Sequence, residues 1–202
     1  MRLPVNHFNL LAPRYDRLFS RPVDDPLPRL MAANQGDRIL DAGGGTGRNA
    51  LTLRETGARI VVCDYSFGML RRATERDLPA VLADVTRLPF ATGTFNRTLV
   101  VDAFHHFVDP SPEIAQTLAT GELLRTLRAG GRLFLEEPNT RRWQAKLIAA
   151  VEHLLLMRSR FLAPEILVGR LEGSGVRCVL REEHGFSVDL VFEKAALSDE
   201  CE

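Results

Sequence analysis

Hydrophobic positions along the chain follow two alternating patterns. Short runs that are apolar almost throughout are separated by longer segments whose apolar residues recur every three to four positions. RILDA (38–42), RIVVCD (59–64), PAVLAD (79–84), FNRTLVVD (95–102) and RLFLEE (132–137) read as strands. Between them the pattern predicts a helix through Leu53, a helix at SFGMLRRATER (66–76), and a helix from Glu113 to Arg128 that Gly130 and Gly131 stop. Apolar strands alternating with helices predict a doubly wound α/β fold, its parallel sheet covered on both faces.

The end of the chain breaks this rhythm. A long helix (141–157) and a shorter one (163–172) are expected before VRCVLREE (176–183) and FSVDLVFE (186–193), which are separated only by His184 and Gly185. A two-residue connection permits only an antiparallel hairpin, because a parallel return needs a crossover of about a dozen residues or more. The mostly parallel sheet is therefore expected to finish with a reversed strand. With 202 residues, the chain is expected to form one domain. Its parts are a helical N-terminal cap (1–36), a core (37–138), a helical insertion (139–175) and the hairpin (176–193).

ILDAGGGTGRNAL (39–51) carries the first chemical signal. Strand, glycine turn and helix in this order place backbone N–H groups and a helix start at the C-terminal end of the first strand, where open α/β sheets bind ligands. A dinucleotide fingerprint would need glycine at position 48, which is Arg48 here. The pattern is instead D-x-G-x-G-x-G, led by Asp41. A carboxylate there suits a ligand with an ammonium group better than a pyrophosphate. Asp64 ends the second strand, where it can accept both hydroxyls of a ribose. Asp84 ends the third, beside the Val85 N–H, where the pair can read an adenine edge. Three aspartates at successive strand ends describe a pocket for an adenosine with a cationic amino-acid tail.

These segments resemble the class I S-adenosylmethionine-dependent methyltransferases. ILDAGGGTG is similar to the family's first motif and VVCDYSFGML to its acidic second-strand motif. LADVTRLPFATGTFNRTLVVDAFHHF and ELLRTLRAGGRLFLEEP are similar to its later ones, so the resemblance covers about residues 36–138. It implies a Rossmann-like sheet of seven strands with the last one reversed, S-adenosyl-L-methionine as cofactor, and a methyl-transfer activity. Cofactor contacts are implied for Tyr15, Asp41, Gly43, Gly45, Gly47, Asp64, Tyr65, Asp84, Val85 and Asp102. FNLLAPRYDRLF and the LPF segment most resemble the ubiquinone and menaquinone biosynthesis enzymes. The chain departs from that group in having His105-His106 after the fourth strand, Asn96 for an aspartate and Ala129 for a proline. A cofactor-binding module without catalysis and a nicotinamide-dependent oxidoreductase are the alternative readings.

Methyl transfer from a sulfonium needs orientation and water exclusion more than a protein nucleophile. A base is required only where the acceptor atom must lose a proton. His105 and His106 are the candidates for that role, since histidine titrates near neutrality. No metal site is expected, because Cys63, Cys178 and Cys201 lack a ligand spacing.

Charge then narrows the partner. Lys and Arg number 26 and Asp and Glu number 26, so no overall field draws nucleic acid to the protein. A small, aromatic or lipophilic methyl acceptor is expected instead. No run reaches the roughly 18 apolar residues of a membrane span, and the first residues lack the apolar core of a signal peptide. A soluble, cytoplasmic protein is the expectation. Locally, residues 141–160 hold Arg141, Arg142, Lys146, Arg158 and Arg160 against Glu152 alone. Trp143, Leu147, Ile148, Val151, Leu154 and Leu155 form one apolar stripe on the same helix. Such a helix either packs on the sheet with its arginines in water, or joins the N-terminal cap as a lid that touches a membrane surface.

Overall fold

The computed structural model of the chain describes residues 7–18, 25–146, 150 and 158–196. Seven strands form one sheet: β1 (Arg38–Ala42), β2 (Arg59–Asp64), β3 (Ala80–Leu82), β4 (Phe95–Val101), β5 (Leu127–Pro138), β6 (Val176–His184) and β7 (Ser187–Lys194). Their spatial order is β3-β2-β1-β4-β5-β7-β6. β1 to β5 pair in parallel, while β7 runs antiparallel to both β5 and β6. The doubly wound sheet and its reversed strand match the expectation.

The helices are α1 (His7–Leu11), α2 (Tyr15–Leu18), α3 (Leu27–Met31), α4 (Arg48–Thr52), α5 (Phe67–Thr74), α6 (Pro112–Thr126) and α7 (Pro164–Glu172). Local chemistry sets several boundaries. Ser66 Oγ accepts the Met69 N–H at the start of α5, and Ser111 Oγ accepts the Ile114 N–H at the start of α6, behind Pro112. Side chains alternate along each strand, and so divide the core in two. Leu40, Val100, Leu123, Leu135, Leu190 and Phe192 pack on one face of the sheet. Ile39, Leu53, Leu70, Leu99, Phe134 and Val191 pack on the other.

Three boundaries differ from the expectation. β3 pairs only over Ala80–Leu82, so Asp84 lies two residues beyond it. Helix α6 ends at Thr126, and β5 begins at Leu127, with Gly130 and Gly131 inside the strand rather than ahead of it. Gly130, at φ 67°, and the shift in register against β4 mark an irregular strand start. Of the helix expected over 141–157, residues 141–146 and 150 are described, and the helix begins at Trp143. Ala145 is buried there while Trp143 is 69% exposed, so Trp143 does not belong to an inward-facing stripe. Leu147, Ile148, Val151, Leu154 and Leu155 lie outside the described residues.

This topology fixes where a ligand fits. The chain leaves β1 for β2 on one side and returns through β4 on the other, which opens a crevice at the C-terminal ends of β1 and β4.

Candidate functional site

A cavity of about 520 Å³ occupies that crevice, within the range of small-molecule sites. Its floor is the glycine loop after β1. Gly43 and Gly44 donate their N–H groups to the Cys63 carbonyl of β2 at 2.8 and 3.1 Å. Gly45 lies beside the cavity at φ 56°, and a side chain there would meet nothing nearer than 4.0 Å. The open space is thus on the ligand's side. Gly47 serves a different purpose. Its φ is 74°, and a Cβ would press into Leu78 Cδ1 at 2.4 Å, so its bareness lets α4 close on the core.

Carboxylates approach from successive strand ends. Asp64 Oδ2 accepts the Gly45 N–H at 2.9 Å and Oδ1 accepts the Ser66 N–H at 2.7 Å. Burial raises its carboxyl above the ordinary value, and the hydrogen bonds from Ser66, Gly45 and Tyr65 pull it back down. Asp84 Oδ1 accepts both the Thr86 N–H and the Thr86 hydroxyl, and so caps the short 3₁₀ turn Val85–Arg87. Asp102, just beyond β4, has the left-handed φ of 49°. Its carboxyl is pushed up to about 7, first by burial and then by the charges of Glu136 and Glu137, while His105 and Arg48 oppose the shift.

The structure brings most of the expected residues to this cavity. Tyr15, Gly43, Gly45, Asp64, Tyr65, Asp84, Val85, Asp102 and His106 all line it. Asp41, Gly47 and His105 do not. Alternation along β1 turns the fully buried Asp41 toward the Ile39 face, and its carboxyl sits directly beneath Gly44. The expected carboxylate at the loop mouth is therefore a buried support under the loop. His105 and His106 separate because they sit in the 3₁₀ turn Phe104–His106, where neighbours point about a third of a turn apart. His105 turns inward, 2% exposed, with Nδ1 at 2.7 Å from Glu137 Oε2. His106 faces the cavity and meets the Phe8 ring edge-on at 4.9 Å.

Several contributors escaped the sequence reading. Arg48 lies 3.5 Å from Asp102 and 5.6 Å over the Tyr15 ring, whose hydroxyl burial pushes up to about 12. Asp16 of α2 receives the Thr46 hydroxyl at 2.6 Å and pairs with Arg76, which also donates to the Thr46 carbonyl. Asn9 Oδ1 accepts from the Ser66 hydroxyl and the Gly68 N–H, both at 2.7 Å. Residues 7–18 are thereby tied to the glycine loop and to the start of α5. Phe8, Phe107, Val108 and Ala115 make the rest of the cavity apolar, and an Arg158–Asp109 ion pair stands at its rim. No local sequence signal marks these long-range pairs. Glu137 had one: an acidic pair closing an otherwise apolar strand. A further group, Glu136, His184 and Asp189, holds ligand-type atoms within 4.8 Å of one another. There the His184 ring Nε2 meets Asp189 Oδ1 at 2.9 Å, a hydrogen-bond contact between β6 and β7.

Known proteins share part of this sequence and its fold. Residues 40–135 match a family model described as a methyltransferase domain. Demethylmenaquinone methyltransferase of Beutenbergia cavernae is 38% identical over 130 residues, covering 63% of this chain and 50% of that one. The chain spans about half the length of the curated relatives it matches. A chain of the complex formed with the Haloferax volcanii Trm112 methyltransferase activator has a TM-score of 0.79 at 16% identity, covering 93% of this chain and 97% of that one. Burkholderia thailandensis 1,6-didemethyltoxoflavin-N1-methyltransferase, solved with bound 1,6-didemethyltoxoflavin and S-adenosylhomocysteine, has a TM-score of 0.67 at 16% identity, covering 96% and 92%. At these identities the two structures show a shared fold.

Proposed function

We propose that this chain, whose residues 40–135 match a methyltransferase-domain model, transfers a methyl group from S-adenosylmethionine to a small aromatic or lipophilic acceptor. The observation that carries this reading is one cavity presenting Asp64, Asp84 and Asp102 beside the Gly43–Gly45 backbone. That donor set fits the cofactor, and Gly45 leaves the space a side chain would fill. Asp64 would hold the ribose hydroxyls, its oxygens retaining acceptor capacity beyond their two backbone hydrogen bonds. Asp84 and Val85 would read the adenine. Asp102, with Tyr15 and Arg48 beside it, would face the charged amino-acid end. When bound, the cofactor supplies an electrophilic methyl carbon on a sulfonium.

The protein's own contribution is placement and dryness. Residues 7–18 cover the site and exclude water, and Phe8, His106, Phe107 and Val108 hold the acceptor. His106 is the side chain placed to take an acceptor proton, where the chemistry releases one. The apolar wall suits a demethylmenaquinone, the substrate class in the relatives' names, as well as other flat aromatic metabolites.

Calorimetry with S-adenosylmethionine, S-adenosylhomocysteine and NAD tests the cofactor, and tighter binding of NAD than of either sulfur compound would sink it. Formation of S-adenosylhomocysteine across a panel of small acceptors, including a demethylmenaquinone, tests the reaction. Cofactor binding with no turnover on any acceptor would instead mark a binding module. Methylation of RNA or DNA by the pure protein would overturn the acceptor class.

A further inference from the structure

Glu137 occupies the last place in an apolar row. Leu133, Leu135 and Glu137 alternate along one face of β5, and the first two are core residues. Glu137 is 2% exposed. A carboxylate so placed is costly unless it is fully hydrogen-bonded, and its bonds converge on one segment. Oε1 accepts the Ala103 N–H at 3.1 Å and the Phe104 N–H at 2.9 Å. Oε2 lies 2.7 Å from His105 Nδ1. Three consecutive residues after β4 are thus fixed by a single side chain 32 to 34 positions away.

The segment needs such a partner. Asp102 takes a left-handed φ of 49°, a conformation uncommon outside glycine. The turn Phe104–His106 that follows begins at Ala103, which has no side chain to cap it. Glu137 provides the cap from across the sheet. It also sets the His105 ring, which stacks on Phe161 at 4.3 Å and 18° and meets the His106 ring at 4.1 Å. The His105 carbonyl in turn accepts the Arg160 N–H at 2.7 Å. His106, next in the turn, is the ring exposed to the cavity, and Ala103, Phe107 and Val108 line the same wall.

We infer that Glu137 is a positioning residue for the acceptor wall: it holds His105, and through that ring it orients His106 toward the bound acceptor. This rests on the methyltransferase reading for the identity of the acceptor, but the geometric link can be tested without it. In Glu137→Gln, Oε1 still accepts the two backbone N–H groups, while an amide N–H₂ now faces His105 Nδ1. The His105 proton should move to Nε2, which histidine-labelled ¹⁵N NMR of the ligand-free protein reads directly. The His106 ring signals should shift with it.

On an acceptor found by the turnover panel, KM should rise at least about tenfold, the scale of a displaced reacting group. At pH 8.5, where Asp102 is ionised in both proteins, the S-adenosylhomocysteine Kd should stay within about twofold, since the Gln oxygen still accepts the Ala103 and Phe104 N–H groups that follow Asp102. Glu137→Leu, which removes all three bonds, should give the larger KM effect. Unchanged His105 and His106 signals in Glu137→Gln would overturn the inference. So would a parallel loss of melting temperature and cofactor affinity with no selective change in acceptor KM. A panel with no methylated product would sink the methyltransferase reading instead, while the NMR result still decides the Glu137 link.

Discussion

Asp64 and Asp102 are both buried carboxyls at strand ends, yet their surroundings give them different chemistry. Asp64 is held by backbone N–H groups of the glycine loop and of the α5 start. Asp64→Ala should weaken S-adenosylmethionine binding by about 1.5–3 kcal/mol, the scale of hydrogen bonds to a charged group, as read by calorimetry. Asp102 sits among Glu136, Glu137, His105, Arg48 and Tyr15, with its carboxyl near 7 against an ordinary 3.8. Because the folded value is the higher one, the ligand-free protein gains stability from this group at low pH and loses it as pH rises through 7. A cofactor ammonium requires the ionised form, so affinity should rise between pH 6 and pH 8, by at most about tenfold per unit below 7. Calorimetry at three pH values checks this. An identical slope in Asp102→Asn would assign the effect to another group.

The N-terminal helices show how an element acquires its place. α1 and α2 are too short to be stable alone. They are fixed by Asn9 on the α5 start and by Asp16 between Thr46 and Arg76. Asp16→Ala removes the second tie, a partly exposed charged pair whose worth is about 1 kcal/mol. Hydrogen exchange in residues 7–18 should quicken and cofactor dissociation should accelerate several-fold, with the melting temperature of the sheet nearly unchanged. Equal exchange rates in the variant and the parent would show that these residues stay closed for another reason. The E-x-x-R spacing of α6 has a comparable purpose. Glu122 accepts the Leu88 N–H at 2.7 Å, and Arg125 donates to the Phe90 and Leu88 carbonyls, so the two hold the LPF loop against the helix.

Across the whole molecule, charge balance is achieved by pairing between distant segments. The basic stretch 141–160 stands out in the sequence, but Arg141 pairs with Glu165, Arg142 with Glu183, Arg158 with Asp109 and Arg160 with Glu113. Four of its five cations thus meet acids from other parts of the fold, which leaves little local field for an anionic surface. No described helix is long and apolar enough to cross a membrane. The exposed Trp143 provides the probe: its emission should be that of a hydrated indole and should not shift with anionic liposomes at physiological salt. A blue shift with co-sedimentation would restore the membrane-touching lid.

The chain's own pattern was enough to determine which segments form the sheet and that one of its last two strands reverses. Strand and helix periodicities are local, a two-residue link between β6 and β7 allows only reversal, and polar residues closing apolar strands mark the ligand edge. These signals located β1 to β7 and the strand-end aspartates Asp64 and Asp84 that line the cavity. What only the tertiary structure decided depends on rotation and distance. Alternation along β1 buried Asp41 under its own loop, and the tight turn after β4 sent His105 inward and His106 outward. Glu137 found its partners 32 to 34 residues away, and Asp16 found Arg76 across 60. Such pairings have no period to read, because they exist only once the sheet has brought the segments together.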